Sequence, residues 1–427
     1  MHWMFLVAAL QSTPDTLAIS ASEALLRAVE QSPAAEAARL EAESAALEAQ
    51  QAEAWSNPAF SVAVENVGSS EEFTGISGVE GLEGQALLSM PLALGGDRGS
   101  RIRYARALAA QARAGAAVAR ADRALSAADV IAAAVRDRSL VETAREELRT
   151  LEQLADALAL QEQEGRASRG DAARADLARG QAATRLARRL AAEAASSEAL
   201  SRILNLPPAT AVEVTLGACT APAPVPGSGD AGVPASDSFP DLLQARARVD
   251  AAQAGIDQAL ARRVPNLEPQ VGMRRTGGNT GLYLGVATAL PLFDYGNRGV
   301  DAARASEAAA NRLRQDVVRR LAAERSAARR SEAALAAAGL GFSEDWRRNL
   351  EVAVSAAEAR FELGEGTLYE LLDNRRARLA ALEDYWQWQA EWWMARARSA
   401  RLEGAPLEAY APCSFPEPGS PEPEDGP

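Results

Sequence analysis

Few side chains in this sequence are of the kinds that carry out chemistry. It holds one His, two Cys and five Met, too few for a His- or Cys-rich metal site or a methionine relay. None of the GxSxG, HExxH, P-loop or dinucleotide-binding patterns occurs, and Gly364-Glu365-Gly366 is not a nucleotide loop because no strand precedes it. The sequence therefore predicts a protein that is not an enzyme, with no catalytic residues, no metal ligands and no cofactor.

The rest of the composition indicates long helices. The chain has 427 residues, 48% of them apolar, and a net charge of −13. All 45 basic residues are Arg and Ala is abundant, and both residues favour helix. The acidic balance argues against a nucleic-acid partner, whose phosphates require a basic surface. Because no run of 18 apolar residues is present, the sequence predicts no membrane-spanning helix.

The chain contains an internal repeat. Residues 90–101 (MPLALGGDRGSR) correspond to residues 290–301 (LPLFDYGNRGVD), at an offset of 200 positions. The recurring residues at these strand-to-helix junctions include Pro91, Gly96 and Arg98 in the first copy and Pro291, Gly296 and Arg298 in the second. The predicted organisation is an N-terminal segment (1–20), a first repeat (21–206), a Pro/Gly-rich linker (207–238), a second repeat (239–404) and a disordered Pro/Glu tail (405–427). The apolar part of the first segment is interpreted as a clipped export signal, or alternatively as an ordinary buried segment.

Both repeats predict the same order of elements: a helix, two short strands, a very long helical run and a return helix. The predicted ranges are 33–55, 58–66, 83–91, 97–164 and 170–204 in the first repeat, and 240–263, 267–276, 282–290, 297–363 and 367–403 in the second. Each long run would measure roughly 100 Å as one helix, and Val141, Ala144 and Leu148 begin a coiled-coil spacing within the first. Gly339 and Gly341 interrupt the second run, so a kink or break is expected there.

The strands have the length and the pattern of bilayer-crossing strands. Each has about nine residues, and residues 282–290 alternate between an apolar face and a small or polar one. Four such strands cannot stand alone in lipid, because their edges would lack hydrogen-bond partners. Three copies would supply twelve strands, an even number that suits a closed barrel.

These features resemble the TolC-type outer-membrane efflux protein family. The amino-acid sequence of the two junctions is most similar to its heavy-metal-efflux (CzcC-like) branch. The resemblance rests on both junctions and on the hairpin FELGEGTLYELLDNRR at 361–376. It implies a mainly α fold with a small β part: a homotrimer whose β-barrel, with four strands per protomer, lies in outer-membrane lipid of a Gram-negative-type cell and continues as a periplasmic α-helical barrel. It also implies a passive exit duct for metal cations or drugs, working with a periplasmic adaptor (membrane fusion protein) and an inner-membrane RND-type pump. The alternative is a soluble periplasmic coiled-coil scaffold or tether.

The family narrows its tunnel with acidic side chains at the periplasmic tip. Onto this sequence the resemblance carries that role to Asp171, Glu370 and Asp373. Glu370 and Asp373 share one helix face, and copies of them around a pore would favour cations. Asp171 and Glu370 also lie where negative charge stabilises a helix start, so this simpler role stays open. The tip turns predicted to contact the adaptor, or simply to end helices, contain Gly165, Gly170, Gly364, Gly366 and Thr367. Several relatives have a basic residue where this chain has Gly366.

Two further groups lie after or within the last helix of a repeat. Cys219 and Cys413 each follow such a helix, and related halves would bring them near one another, so a disulfide after export and two free thiols are both open interpretations. Tyr385, Trp388 and Trp392 belong to an aromatic cluster on the final helix. It is interpreted as filling a gap between helices rather than as a membrane-interface belt.

Overall fold

The computed structural model describes residues 17–65, 83–208, 210–218 and 239–414, and it is mainly helical. In chain order its elements are β1 (Leu17–Ser20), α1 (Ala21–Glu30), α2 (Pro33–Glu53), β2 (Ala59–Glu65), β3 (Glu83–Ser89), α3 (Asp97–Gln163), α4 (Arg169–Ile203), β4 (Val212–Thr215), β5 (Gly217–Ala218), α5 (Pro240–Ala261), β6 (Leu267–Thr276), β7 (Asn279–Thr288), α6 (Asn297–Gly339), α7 (Glu344–Glu362), α8 (Leu368–Glu403), a 3-10 helix (Leu407–Tyr410) and β8 (Cys413–Ser414). Among the helices of these residues, none is both long enough and apolar enough to cross a membrane.

The described residues form two compact units. One contains the chain up to Glu36, Ala119–Phe239 and the chain from Arg320 onward. Its core joins α1 with the middle of α3, the end of α4 and the C-terminal segment, through Leu25, Ile131, Leu204 and Tyr410. The other contains Ala37–Val118 and Pro240–Arg319, and it includes the four-stranded sheet.

The two long helical runs differ in continuity. The first is one helix of 67 residues, α3, whereas the second is divided into α6 and α7. The break follows Gly339, and Ser343 then caps α7 by accepting a hydrogen bond from the Trp346 backbone N–H at 3.3 Å. A helix-disfavouring glycine pair followed by a strong N-cap residue explains why the second run stops where the first continues.

An aromatic cluster packs against this break. The Phe342 ring centroid lies 5.0 Å from that of Trp346, 5.4 Å from Tyr385 and 4.9 Å from Trp388. The Trp388 indole donates a hydrogen bond to the Leu335 carbonyl at 2.8 Å. The interpretation of these aromatic residues as filling between helices is therefore confirmed for the side chains in this cluster.

The sheet has the strand order β2-β3-β6-β7, and all of its neighbouring pairs are antiparallel. The turn Gly277-Gly278 joins β6 to β7, and both glycines have positive φ, as a tight hairpin requires. Compared with the predicted strand 282–290, β7 begins three residues earlier, directly after the turn, and its last residue comes two residues earlier. Gly272 of β6 lies so close to β3 that a Cβ at this position would be 2.0 Å from the Ala86 carbonyl oxygen.

The two faces of this sheet differ in polarity. Two rows of register partners form the apolar face: Phe60, Leu88, Val271 and Leu284, and then Val62, Ala86, Met273 and Leu282. Except for Ala86, these side chains are 44% to 73% exposed. The opposite face carries Ser89, Gln270 and Arg274, and the Ser89 hydroxyl donates to Glu268 at 2.6 Å. An apolar face is thus exposed on the outside of the unit instead of being buried in its core.

The structure departs from the predicted linker and tail at their ends. β4 and β5 lie within the predicted linker 207–238, and the 3-10 helix and β8 lie within the predicted disordered tail 405–427. β4 pairs with β1, β5 pairs with β8, and Tyr410 is buried. These short strands are stabilised by partners far away in sequence, which a local composition cannot indicate. The rest of the linker (219–238), the tail from 415, residues 1–16 and the loop 67–82 lie outside the described residues.

Candidate functional site

The two tip turns have the same backbone geometry. Gly165 and Gly364 have φ angles of 73° and 72°, the left-handed conformation that ends helices. One residue later, the Arg166 N–H donates to the Gln161 carbonyl at 2.7 Å, and the Glu365 N–H donates to the Arg360 carbonyl at 2.8 Å. Each turn therefore donates a hydrogen bond to a carbonyl near the end of the helix that it follows.

The helices that follow these turns are capped by hydroxyl side chains. Ser168 accepts from the Asp171 N–H at 3.0 Å, and Thr367 accepts from the Glu370 N–H at 3.2 Å. Glu370 returns the interaction by accepting from the Thr367 N–H at 3.4 Å, which completes a capping box. Asp171 and Glu370 consequently take part in starting α4 and α8, whatever else they do.

The three acids predicted for the aperture have different surroundings. Asp171 pairs with Arg174 at 3.5 Å and Glu370 with Arg360 at 3.8 Å, and both pairs are exposed enough to be weak. Asp373 is exposed, and it makes no ion pair or side-chain hydrogen bond with another described residue. Of the three, it is the side chain whose charge has no partner in the part of the chain that the structure describes.

The remaining turn residues differ in how much room they have. A Cβ at Gly366 would lie 3.1 Å from the Arg360 Cβ, which is tight, whereas a Cβ at Gly170 would make only an ordinary contact with Ser168. Both hairpins contribute to one apolar core beneath the turns, formed by Leu151, Ala155, Leu158, Ala175, Ala178, Ala182, Leu368 and Leu372. This packing fixes the two turns relative to each other.

Ion pairs that the sequence did not reveal join the helices below this core. The Arg375 side chain, 11% exposed, contacts Glu147 of α3 at 3.8 Å and also pairs with Glu358 of α7. Arg378 reaches Glu351 at 2.9 Å and Glu146 at 3.3 Å. Burial raises the pKa of Glu147, and the nearby Arg375 and Arg378 oppose that shift.

The strand-to-helix junctions are built on glycines with positive φ. Gly96 and Gly296 have φ angles of 80° and 71°, and their carbonyls accept from Ser100 and Val300 in the first turns of α3 and α6. Pro91 and Pro291 come just after the strands β3 and β7. Proline has no backbone N–H to donate to a neighbouring strand, so it is tolerated at such strand ends. The repeat thus corresponds to two similar backbone joints.

The arginines of the two junctions are used differently. Arg98 donates to the Glu53 carbonyl, and its guanidinium carbon lies 4.6 Å from the Trp55 ring centroid. A cation at this place complements the C-terminus of α2. Arg298 makes no such bond to a described residue at the end of α5.

One of the two cysteines lies among the described residues. Cys413 is buried and disulfide-bonded, and Cys219 lies outside the described residues. β5, which ends one residue before Cys219, pairs with β8 so that Gly217 faces Cys413. Among the described residues, no group of three or more His, Cys, Asp or Glu side chains is arranged to hold a metal ion.

Comparisons with known proteins identify the class. The family model described as "outer membrane efflux protein" matches residues 235–404. The nickel and cobalt resistance protein CnrC of Cupriavidus metallidurans is 31% identical over 300 residues, covering 67% of each chain. The nickel-cobalt-cadmium resistance protein NccC of Alcaligenes xylosoxydans xylosoxydans is 29% identical over 304 residues, covering 69% of this chain and 65% of the relative. The chain thus spans about two thirds of these relatives.

Solved structures share the fold. The outer membrane protein VceC of Vibrio cholerae superposes with a TM-score of 0.74 at 20% identity, covering 91% of this chain and 96% of that one. The CmeC outer membrane channel of Campylobacter jejuni gives 0.74 at 15% identity, covering 93% and 87%. The chain therefore has the fold of TolC-like outer-membrane channels, and its likeness to CnrC places it in a family that is not one of enzymes. It belongs to the outer membrane efflux protein family, and its location is the outer membrane.

Proposed function

We propose that three copies of this chain form a passive exit duct, with a twelve-stranded barrel in the outer membrane and a helical tunnel in the periplasm. The observation that carries the proposal is the four-stranded sheet, whose apolar face is exposed and whose outer strands β2 and β7 each pair on one side only among the described strands. In lipid, such edges must find partners.

The strand directions are suited to closure by identical copies. Because all three pairs in the order β2-β3-β6-β7 are antiparallel, β2 and β7 run in opposite directions. The β7 edge of one copy can therefore pair with the β2 edge of the next in an antiparallel ladder, as outer-membrane barrels require. A soluble coiled-coil tether, the alternative function, would leave the apolar rows of this sheet in water, which makes it the weaker proposal.

The substrates that we propose are divalent transition-metal cations. The names of CnrC and NccC refer to nickel, cobalt and cadmium resistance. In a tripartite system, an inner-membrane RND-type pump and a periplasmic adaptor would deliver the cations, and the duct would supply the path across the outer membrane. The adaptor would contact the tip turns that contain Gly165, Gly170, Gly364, Gly366 and Thr367.

The aperture that we propose is lined by Asp171, Glu370 and Asp373 of each copy. Its support is that Asp373 is exposed without a described partner and lies one helical turn from Glu370. Three copies would crowd these carboxylates, which repel one another and attract cations. Cys219 and Cys413 are proposed as a disulfide that ties the C-terminal segment to the region between the repeats.

Assembly and export provide the tests. Membrane extraction should require detergent, and the mass of the purified protein in detergent should be that of a trimer that dissociates on heating. Cells lacking the native duct should regain nickel and cobalt tolerance when the chain is expressed with its pump and adaptor. A stable monomer in detergent, or release from membranes by salt alone, would contradict the proposal.

A further inference from the structure

The apolar stripe of β7 continues beyond the end of the strand. On this face the even-numbered positions of β7 hold Leu282, Leu284 and Val286, and beyond the strand Leu290 and Leu292 continue the even-numbered series. All five side chains are 66% to 73% exposed. Residues 282–290 would span about 27 Å at ~3.4 Å per residue, close to the ~25 Å height of the apolar band on outer-membrane barrels. Phe293, which is 99% exposed, stands where the stripe ends.

A cavity opens at this end of the stripe, in the joint between α5 and α6. It has a volume of about 470 Å³, and its lining includes Arg262, Arg263, Pro291, Asp294 and Tyr295. The Arg263 stem lies over the junction turn, because a Cβ at Gly296 would be 3.0 Å from the Arg263 Cγ. The cavity therefore has basic groups at its wall and the exposed apolar residues 290–293 beside it.

The two arginines of this cavity are not neutralised by any described residue. Arg262 and Arg263 are exposed, and neither makes an ion pair or a side-chain hydrogen bond with another described residue. The one carboxylate of the lining, Asp294, accepts from the Gly296 N–H at 2.8 Å and so serves the turn. The surface keeps an excess of positive charge.

The first junction lacks this arrangement although its backbone is similar. At the repeat offset of 207, the position of Arg262 is held by Trp55 and that of Arg263 by Ser56. The basic group there, Arg98, stacks on Trp55 and donates to the Glu53 carbonyl. An unneutralised arginine pair beside an exposed apolar stripe is therefore a property of the second junction.

We infer that this second junction binds an anionic phospholipid of the membrane. Arg262 and Arg263 would hold the headgroup phosphate, and Leu290, Leu292 and Phe293 would lie along the acyl chains. Arginine suits this role because its fork of donors matches phosphate oxygens, and its stem can lie on apolar surface while its head stays at the interface. The inference rests on the proposed insertion of the sheet in the outer membrane.

Charge favours a lipid over a second copy of the chain as the occupant. In the proposed trimer, the neighbouring β2 would lie beside β7, and the residues that lead into it, Ser56–Ala59, include no acid. The nearest acid upstream, Glu53, pairs with Arg106 at 2.6 Å. A neighbouring copy would thus leave the arginines unpaired, whereas a phosphate would neutralise them.

The test is lipid binding by the full-length trimer in native mass spectrometry. Detergent-solubilised protein would be titrated with phosphatidylglycerol or with phosphatidylcholine of the same acyl chains. The variant Arg262→Gln/Arg263→Gln should bind phosphatidylglycerol about tenfold more weakly, since each arginine at an anionic lipid surface adds roughly a fivefold factor at most. The control Arg304→Gln/Arg320→Gln, in α6, removes the same charge and should bind like the wild type. Phe293→Ser should weaken binding of both lipids.

Three results would overturn the inference. The first is equal phosphatidylglycerol binding by the arginine variant and its control. The second is displacement of the lipid by inorganic phosphate alone, which would mean a site for free anions. The third is loss of the lipid-free trimer in Arg262→Gln/Arg263→Gln, which would mean a contact between copies. Planar-bilayer conductance, measured in parallel, tests the proposed duct separately from these three results. If the duct proposal itself is wrong, the wild type will form no channel.

Discussion

At the residue scale, Arg375 and Glu147 form an ion pair between helices. Their side chains are 11% and 5% exposed, so both charges have lost most of their hydration. A pair of this kind adds little stability over a well-packed apolar pair, but the loss of one partner leaves a buried charge without compensation. Glu147 is the more sensitive member, because burial already raises its pKa.

We predict that Arg375→Gln lowers the free energy of unfolding by about 3 kcal/mol near neutral pH. Without the guanidinium, the pKa of Glu147 in the folded protein rises further above its value in the unfolded chain. Because the buried carboxylate opposes folding when it is charged, the loss of stability is full at pH values above that raised pKa. The loss should therefore shrink as pH falls through the folded pKa of Glu147. Thermal unfolding in detergent, followed by circular dichroism over a range of pH, measures it.

The exposed neighbour Arg376 provides the control for this prediction. Arg376→Gln removes the same charge from α8 but has no described ion-pair partner to leave behind, so it should unfold like the wild type. Adding Glu147→Gln to Arg375→Gln should restore part of the lost stability. A deficit for Arg375→Gln that does not change with pH would show that Glu147 is not its cause.

Gly272 is a residue whose lack of a side chain sets a strand spacing. A Cβ there would lie 2.0 Å from the Ala86 carbonyl oxygen and 2.8 Å from the Leu87 Cα, so β3 and β6 would have to separate. We predict that Gly272→Ala sharply lowers the yield of heat-labile trimer on semi-native electrophoresis. Gly281→Ala is the matched control in β7, because nothing lies within 4 Å of its Cβ position. Equal yields from both variants would mean that the strands can adjust.

At the element scale, the parts that sequence could predict are those with local patterns. The alternation of residues 282–290 indicated β7, the repeat located both junctions, and Gly165 and Gly364 marked the tip turns. The capping box could also have been predicted, since Thr367 and Glu370 have its spacing. The pairings of β1 with β4 and β5 with β8, and the ion pairs of Arg375, depend on residues distant in sequence. No local periodicity indicates them.

The C-terminal segment illustrates this limit and gives a prediction. Tyr410 is 4% exposed and packs in the same core as Leu25 and Leu204. Tyr410→Ala should destabilise this unit by about 3 kcal/mol through the cavity that it leaves. Hydrogen exchange should rise at residues 407–414 and 212–217. Glu408→Ala, an exposed change in the same 3-10 turn, should leave exchange unchanged. If the amides of these residues remain protected from exchange in Tyr410→Ala, the packing argument is contradicted.

At the scale of the whole molecule, the proposed function depends on surfaces that a single copy leaves incomplete. Among the described residues, the sheet has its apolar rows outside and the edges of β2 and β7 unpaired, and the carboxylates of the tip turns have few partners. Both features suit an assembly around an axis, in which the edges join and the acids approach one another. In the proposed assembly, the interior of each copy accordingly supplies rigidity, and the chemistry of the duct arises between copies.

The last prediction concerns the charge of the proposed aperture, separated from helix capping. In Glu370→Gln/Asp373→Asn the carboxylates are lost, while Gln can still accept the hydrogen bond of the capping box. Stability should therefore change little, whereas cation preference should fall and block by divalent cations should weaken about tenfold, a loss of roughly 1.4 kcal/mol in cation binding. Single-channel recording in planar bilayers measures both. Glu344→Gln/Asp345→Asn, at the exposed start of α7, removes equal charge and should conduct like the wild type. If the tip variant also conducts and is blocked like the wild type, Glu370 and Asp373 serve only α8, and the constriction lies elsewhere along the tunnel.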